Sequence, residues 1–406
     1  MPSEIDLLRS LDDEPRTPST VDIQRAMTVG RRRRIRRTIG YAGAATVTAL
    51  AVAGASFAGG LLTHAAPQVG TTGTPRAATT TAPPATPPTR CTLNRLPAPD
   101  NAPMALVSGA DPSGRYIVGR SYPKAGGYQA VIWHDGKATK VMLPGDLEEA
   151  LRDVNSTGTA VGWSYVGGSE ETTGQVPYVY HNGKVSQLPG VRRGSASAIN
   201  DAGAIVGDDD NGAALLWPSP TANPTRLPVP AGTSEAMARD IDEDGTIVGT
   251  VDNERPYVWL PDGTHRELAL PDLDGKPAAT ARVFSVRNGW ATGVATNGEG
   301  RKGDPALGGK AVAVRWNIRT GEVRVFDALS SAANGVNAHG WQVGTDQQGR
   351  AVLVADAVTV VLPDLHSHTP NGLSNIATTV SDDGRTVAGQ SDDATGTIQA
   401  IVWRCQ

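Results

Sequence analysis

The chain has little cysteine, two residues among 406. That excludes a disulfide-dense scaffold and any four-cysteine zinc site. It also lacks a large charge of either sign, standing at −4 at pH 7. A strongly basic nucleic-acid binder is therefore excluded as the default reading. Aromatic residues make up 5%, and only 3 of them are Phe against 8 Trp. No P-loop, His-Glu-x-x-His or Gly-x-Ser-x-Gly is present, which removes common signatures of nucleotide, metalloprotease and serine-hydrolase chemistry. What the chain does have is glycine, 47 residues, and proline, 29. Together they stay below the level of a low-complexity chain.

These residues are spread unevenly. Residues 1–37 hold nine Arg and six acids and end in Arg31-Arg32-Arg33-Arg34-Ile35-Arg36-Arg37. Residues 38–63 carry no charge, a length above the roughly 20 residues needed to span a bilayer. With the Arg run before it, the positive-inside rule predicts a single transmembrane helix, its N-terminus cytoplasmic and everything after residue 63 outside. The competing reading is a signal peptide cut at Ala53-Gly54-Ala55, although a 37-residue n-region is long for one. Residues 64–90 form a Pro/Thr-rich linker, extended in character. Within the tail, Ser3-x-x-Asp6 and Ser19-x-x-Asp22 resemble capping boxes. Residues 1–30 are thus a candidate segment for a cytosolic protein partner, including one of signalling or sigma-factor type.

Residues 91–406 repeat. The turn glycines Gly114, Gly158, Gly203, Gly245, Gly289, Gly340 and Gly384 recur at spacings of 42–51 residues. Each unit reads as four short strands. Strand a ends as in Ala198-Ile199-Asn200, a glycine turn follows, and strand b ends on a second glycine such as Gly207 or Gly249. Strand c ends on an aromatic: Trp133, Tyr180, Trp217, Trp259, Trp316 and Trp403, with Val354 in the sixth unit. Strand d closes on Leu-Pro, as at Leu188-Pro189. Seven such units predict an all-β, seven-bladed β-propeller, with the Trp set wedged between blades.

The seventh unit stops after strand c, at Trp403-Arg404-Cys405-Gln406, while Cys91–Pro97 reads as an orphan strand d. The N-terminal strand is therefore expected to complete the last blade. In that register the two cysteines fall where other blades have the c–d turn, which predicts a Cys91–Cys405 disulfide. The bond requires an oxidising compartment. Closing so long a loop contributes on the order of 4–5 kcal/mol in chain-entropy terms.

The stretch Leu188-Pro189-Gly190, continuing through Ser195-Ala196-Ser197-Ala198-Ile199-Asn200-Asp201-Ala202-Gly203-Ala204-Ile205-Val206-Gly207, resembles the bacterial extracellular HAF repeat. The resemblance covers roughly residues 91–406. It implies an exported propeller-like domain and no shared reaction.

Candidate chemistry is sparse. Asp208, Asp209 and Asp210 form an acidic b–c connection in blade three, the best of the weak candidates for Ca²⁺, though without an EF-hand pattern. No other metal or cofactor is expected. His366 and His368 lie two apart in a loop. Long b–c loops occur in blade two (164–176) and blade five (295–310), the latter carrying Glu299, Arg301, Lys302 and Asp304. They share a rim, where a protein or glycan partner is expected. Strand a is expected to offer the channel mainly Asn155, Asn200, Asp240 and Asn337, too amide-like for acid–base work. The expectation is a membrane-anchored extracytoplasmic binding or sensing propeller without catalysis. A propeller-type hydrolase or lyase is the alternative, which converging charges in a central pocket would favour.

Overall fold

The computed structural model describes residues 85–406, apart from 125–126, 146–148, 167–173, 253, 298–310, 331 and 367–374. The tail, the uncharged span and most of the linker thus lie outside the described residues. Among the described residues no helix is long and apolar enough to cross a membrane.

Seven four-stranded antiparallel sheets follow one another in sequence. The third is typical: strand a Gly194–Ile199, b Ile205–Asp209, c Ala214–Trp217 and d Thr225–Arg226. In the seventh, Asn375–Val380, Thr386–Asp392 and Ile398–Cys405 take Cys91–Arg95 as their fourth strand. The register pairs Cys91 with Cys405 and Leu93 with Trp403. The disulfide joins the two cysteines with an S–S distance of 2.05 Å. A short hairpin of Asp272–Leu273 and Lys276–Pro277 decorates the connection from blade four to blade five.

The turn glycines sit where the repeat predicts. Gly203, at φ +83°, closes the a–b turn of blade three, a conformation that side chains rarely adopt. The tryptophans of strand c are wedges between blades, as expected, and have a hydrogen-bond partner as well. The indole N–H groups of Trp217 and Trp259 donate to the carbonyls of Pro189 and Pro228 at 2.9 and 2.6 Å. Trp316 and Trp403 do the same to Ala269 and Pro363. In each case the acceptor follows a Leu just after strand d of the preceding blade, buried at Leu188, Leu268 and Leu362 and partly buried at Leu227. A blade thus supplies the socket for the next blade's Trp wherever there is one, and burying the indole leaves no unsatisfied donor.

The second glycine does not end strand b, as the repeat suggested. Strand b continues one to three residues beyond it, and the glycine faces a β-bulge in strand a. In blade three, Ala196 pairs with Gly207 and then Ala198 with Val206, leaving Ser197 outside the ladder. All seven blades show the same shift. A Cβ on Gly207 would lie 1.9 Å from the Ser195 carbonyl oxygen. The glycine is therefore required by close approach of strand a.

Candidate functional site: the central channel

The bulges matter because strand a is the inner strand. The seven bulged residues are Ser108, Arg152, Ser197, Arg239, Phe284, Asn334 and Thr378, and all line one cavity of about 820 Å³ that strands a of all seven blades surround. A bulge re-aims the side chain it releases. Here it gives each blade one position facing the lumen, three residues before the polar residue that opens the a–b turn.

The asparagines expected in the channel are not there for a ligand. Asn155, Asn200 and Asn337 are almost fully buried. The Asn155 Oδ1 accepts from the backbone N–H groups of Thr157 and Thr159, while its Nδ2 donates to the Asn200 carbonyl. Asn200 reaches Asp242 and Asn337 reaches Ser381 in the same way. These amides tie one blade's turn to the next. Asp240 does line the channel.

The lumen is instead charged. Arg152, Asp153, Asp208, Arg239 and Asp240 line it. Burial pushes the Asp153 carboxyl up to about 8, with the nearby Asp240 charge adding to the effect. Burial likewise raises Asp240 to about 6, against hydrogen bonds from Val286, Ser285 and Ile241. The Asp153 Oδ2 accepts from the Ile199 N–H at 2.9 Å, and the Asp240 Oδ2 from the Val286 N–H at 2.8 Å. Both carboxyls therefore hold the following blade.

One mouth of the channel, on the a–b turn side, is crossed by an ion network. Arg287 of blade five donates to Asp382 of blade seven at 2.7 Å and to Glu243 of blade four at 2.7 Å. Burial opposes the Arg287 charge, and the hydrogen bonds to Asp382 and Glu243 more than offset it, so its pKa lies above the ordinary guanidinium value. Asp382 also accepts from the Ala338 N–H, and its own N–H donates to Pro112. At the other end of the lumen, Trp163 and Gln175 of blade two complete the wall.

The acidic trio of blade three separates on folding. The Asp208 Oδ1 accepts from Ser195 Oγ at 2.9 Å, and Asp209 caps its own turn through Asn211 and Ala213 while pairing with Arg226. Asp210 is exposed. Among the described residues no group of three or more His, Cys, Asp or Glu stands ready for a metal. Glu299, Arg301, Lys302 and Asp304 fall outside the described residues, as does His368.

No protein family matches the chain as a whole or in part, so the likeness to the HAF repeat remains one of motif. No curated protein matches either. Solved structures do. A YCF48 bound to a D1 peptide is 12% identical, covers 79% of this chain and 98% of its own, with a TM-score of 0.45. YCF48 from Cyanidioschyzon merolae is 9% identical over 77% of this chain and 98% of its own, at 0.46. BamB from Moraxella catarrhalis is 13% identical over 74% and 83%, at 0.37.

Proposed function

We propose that the chain is an exported, membrane-anchored binding propeller whose central channel holds a small ligand, without catalysis. The observation that carries this reading is the ring of bulged side chains. Seven positions are released from the ladder, face one lumen and include two arginines. A volume of about 820 Å³ falls within the usual range of small-molecule sites. Placement outside the cytoplasm is supported by the disulfide, which uses both cysteines of the chain. The anchor rests on the uncharged run 38–63 and the arginines before it. The converging charges would favour an enzyme by themselves. Against that, Asp153 and Asp240, the carboxyls with the most perturbed titration in the lumen, direct their oxygens to backbone N–H groups.

Native mass spectrometry of the chain purified from its own envelope tests the reading. Ser197→Trp places a bulky group in the lumen. Small molecules retained by the parent are expected to be lost from this variant while its melting temperature stays within a few degrees. An unchanged retained set would refute the channel as the site.

A further inference from the structure

Two arginines of the lumen, Arg152 and Arg239, differ from Arg287 at its mouth and from Arg315 outside it. Arg287 and Arg315 each pair with carboxylates, at 2.7 and 2.9 Å. Among the described residues Arg152 has no ion pair or hydrogen bond, and it is exposed to the lumen. Among the described residues the Arg239 side chain donates only to the Met237 sulfur, at 3.2 Å, a weak acceptor. Blade three lies between them and presents Ser197 at the same bulged position.

The electrostatics agree with this geometry. Burial lowers the Arg152 pKa, and the positive charges of Arg239 and Arg120 lower it further. A guanidinium does not give up its proton under these conditions. The Asp153 charge partly offsets the repulsion at Arg152 and the Asp208 charge attracts Arg239, yet neither carboxyl bonds a guanidinium among the described residues. The lumen's own carboxyls do not supply a bonded partner. Asp153 and Asp240 face the backbone of blades three and five, and Asp208 is bound by Ser195. Trp163 shares the cavity wall, its ring edge-on to Tyr165 at 5.5 Å between centroids. It offers apolar surface to the same lumen as the two cations.

We propose that Arg152 and Arg239, with the Ser197 hydroxyl between them, bind the phosphate or carboxylate group of a small organic oxyanion in the channel. The inference rests on the channel being a ligand site and names the class of ligand. Guanidinium forks match either oxyanion through paired N–H donors. Ser197 adds a neutral donor, and Trp163 meets the uncharged part.

Calorimetric titration of the full chain tests this with inorganic phosphate in one arm and citrate in the other, ionic strength being held constant with sodium chloride. Saturable binding is expected in at least one arm, and which arm responds tells phosphate from carboxylate recognition. Arg152→Gln and Arg239→Gln should each weaken it about ten-fold, and the double variant should abolish it. Melting temperature and the intact disulfide check that the variants fold. Undiminished affinity in the double variant overturns the proposal, as does absence of saturable binding in both arms by the folded parent. If the channel retains a neutral or cationic molecule that Ser197→Trp loses and the arginine variants keep, the oxyanion proposal fails and the channel reading stands. If Ser197→Trp loses nothing, the channel reading fails too.

Discussion

The indole N–H of Trp133 donates to the carbonyl of Pro97 at 2.8 Å. Trp133 belongs to the first blade and Pro97 follows the strand that completes the seventh. The same bond recurs at four other seams between blades. At this seam it fixes the N-terminal strand from one side, while the Cys91–Cys405 bond fixes it from the other. Closure of the ring therefore uses one fastening common to the repeats and one peculiar to this seam.

Trp217→Phe and Trp133→Phe are expected to cost similar amounts in the oxidised protein, about 1–3 kcal/mol, because each leaves a proline carbonyl without its donor and removes buried area. Under reduction the two should part. Loss of the disulfide costs about 4–5 kcal/mol by chain entropy, and Trp133→Phe then weakens the remaining hold on Cys91–Arg95. Urea titrations with and without reductant measure both. Equal losses under reduction would argue that the N-terminal strand is not the closing element.

The fold was legible because each repeat carries its own punctuation. Gly203 and its counterparts fix the a–b turns, and the Trp and Leu-Pro pairs mark facing sides of a seam. The disulfide followed from counting strands. The site was less legible. Asn155 and Asn200 looked like channel residues because a regular strand alternates its faces. The bulge breaks that alternation and moves Arg152 and Ser197 into the lumen. A signal existed in the glycine of strand b and in the column, polar in six of seven blades, three residues before each turn. The column reads Ser, Arg, Ser, Arg, Phe, Asn and Thr.

Gly207→Ala tests the link between that glycine and the lumen. Its φ is unexceptional, so the effect is steric: the new methyl would meet the Ser195 carbonyl at 1.9 Å. Overpacking of this kind costs about 1–3 kcal/mol. The bulge at Ser197 should shift with it. Hydrogen exchange is expected to rise at the a–b ladder of blade three while the outer strand Thr225–Arg226 is unchanged. Uniform loosening of the whole blade would mean that the glycine serves general packing and not the bulge.

The buried carboxyls predict an acid-side stability optimum. Glu149 accepts from the Ala130 and Leu143 N–H groups at 2.9 and 3.0 Å and has no ion pair among the described residues. Burial pushes its pKa up to about 7, from an ordinary 4.5. Asp153 rises to about 8 and Asp240 to about 6, from 3.8. In each case the folded chain keeps a proton that the unfolded chain has already lost, so stability falls as pH rises across that interval. The contribution is complete below about pH 4 and lost by about pH 8. Surface carboxyls with lowered pKa, such as Asp262 and Asp393, act oppositely below about pH 4. The melting temperature should therefore decline from about pH 5 to about pH 8 and level off above it. Asp153→Asn keeps an acceptor for the Ile199 N–H and removes the titration. This variant is expected to match the parent near pH 4 and to melt higher than it at pH 8.5. Parallel profiles for the two proteins would show that Asp153 titrates alike in the folded and unfolded chains.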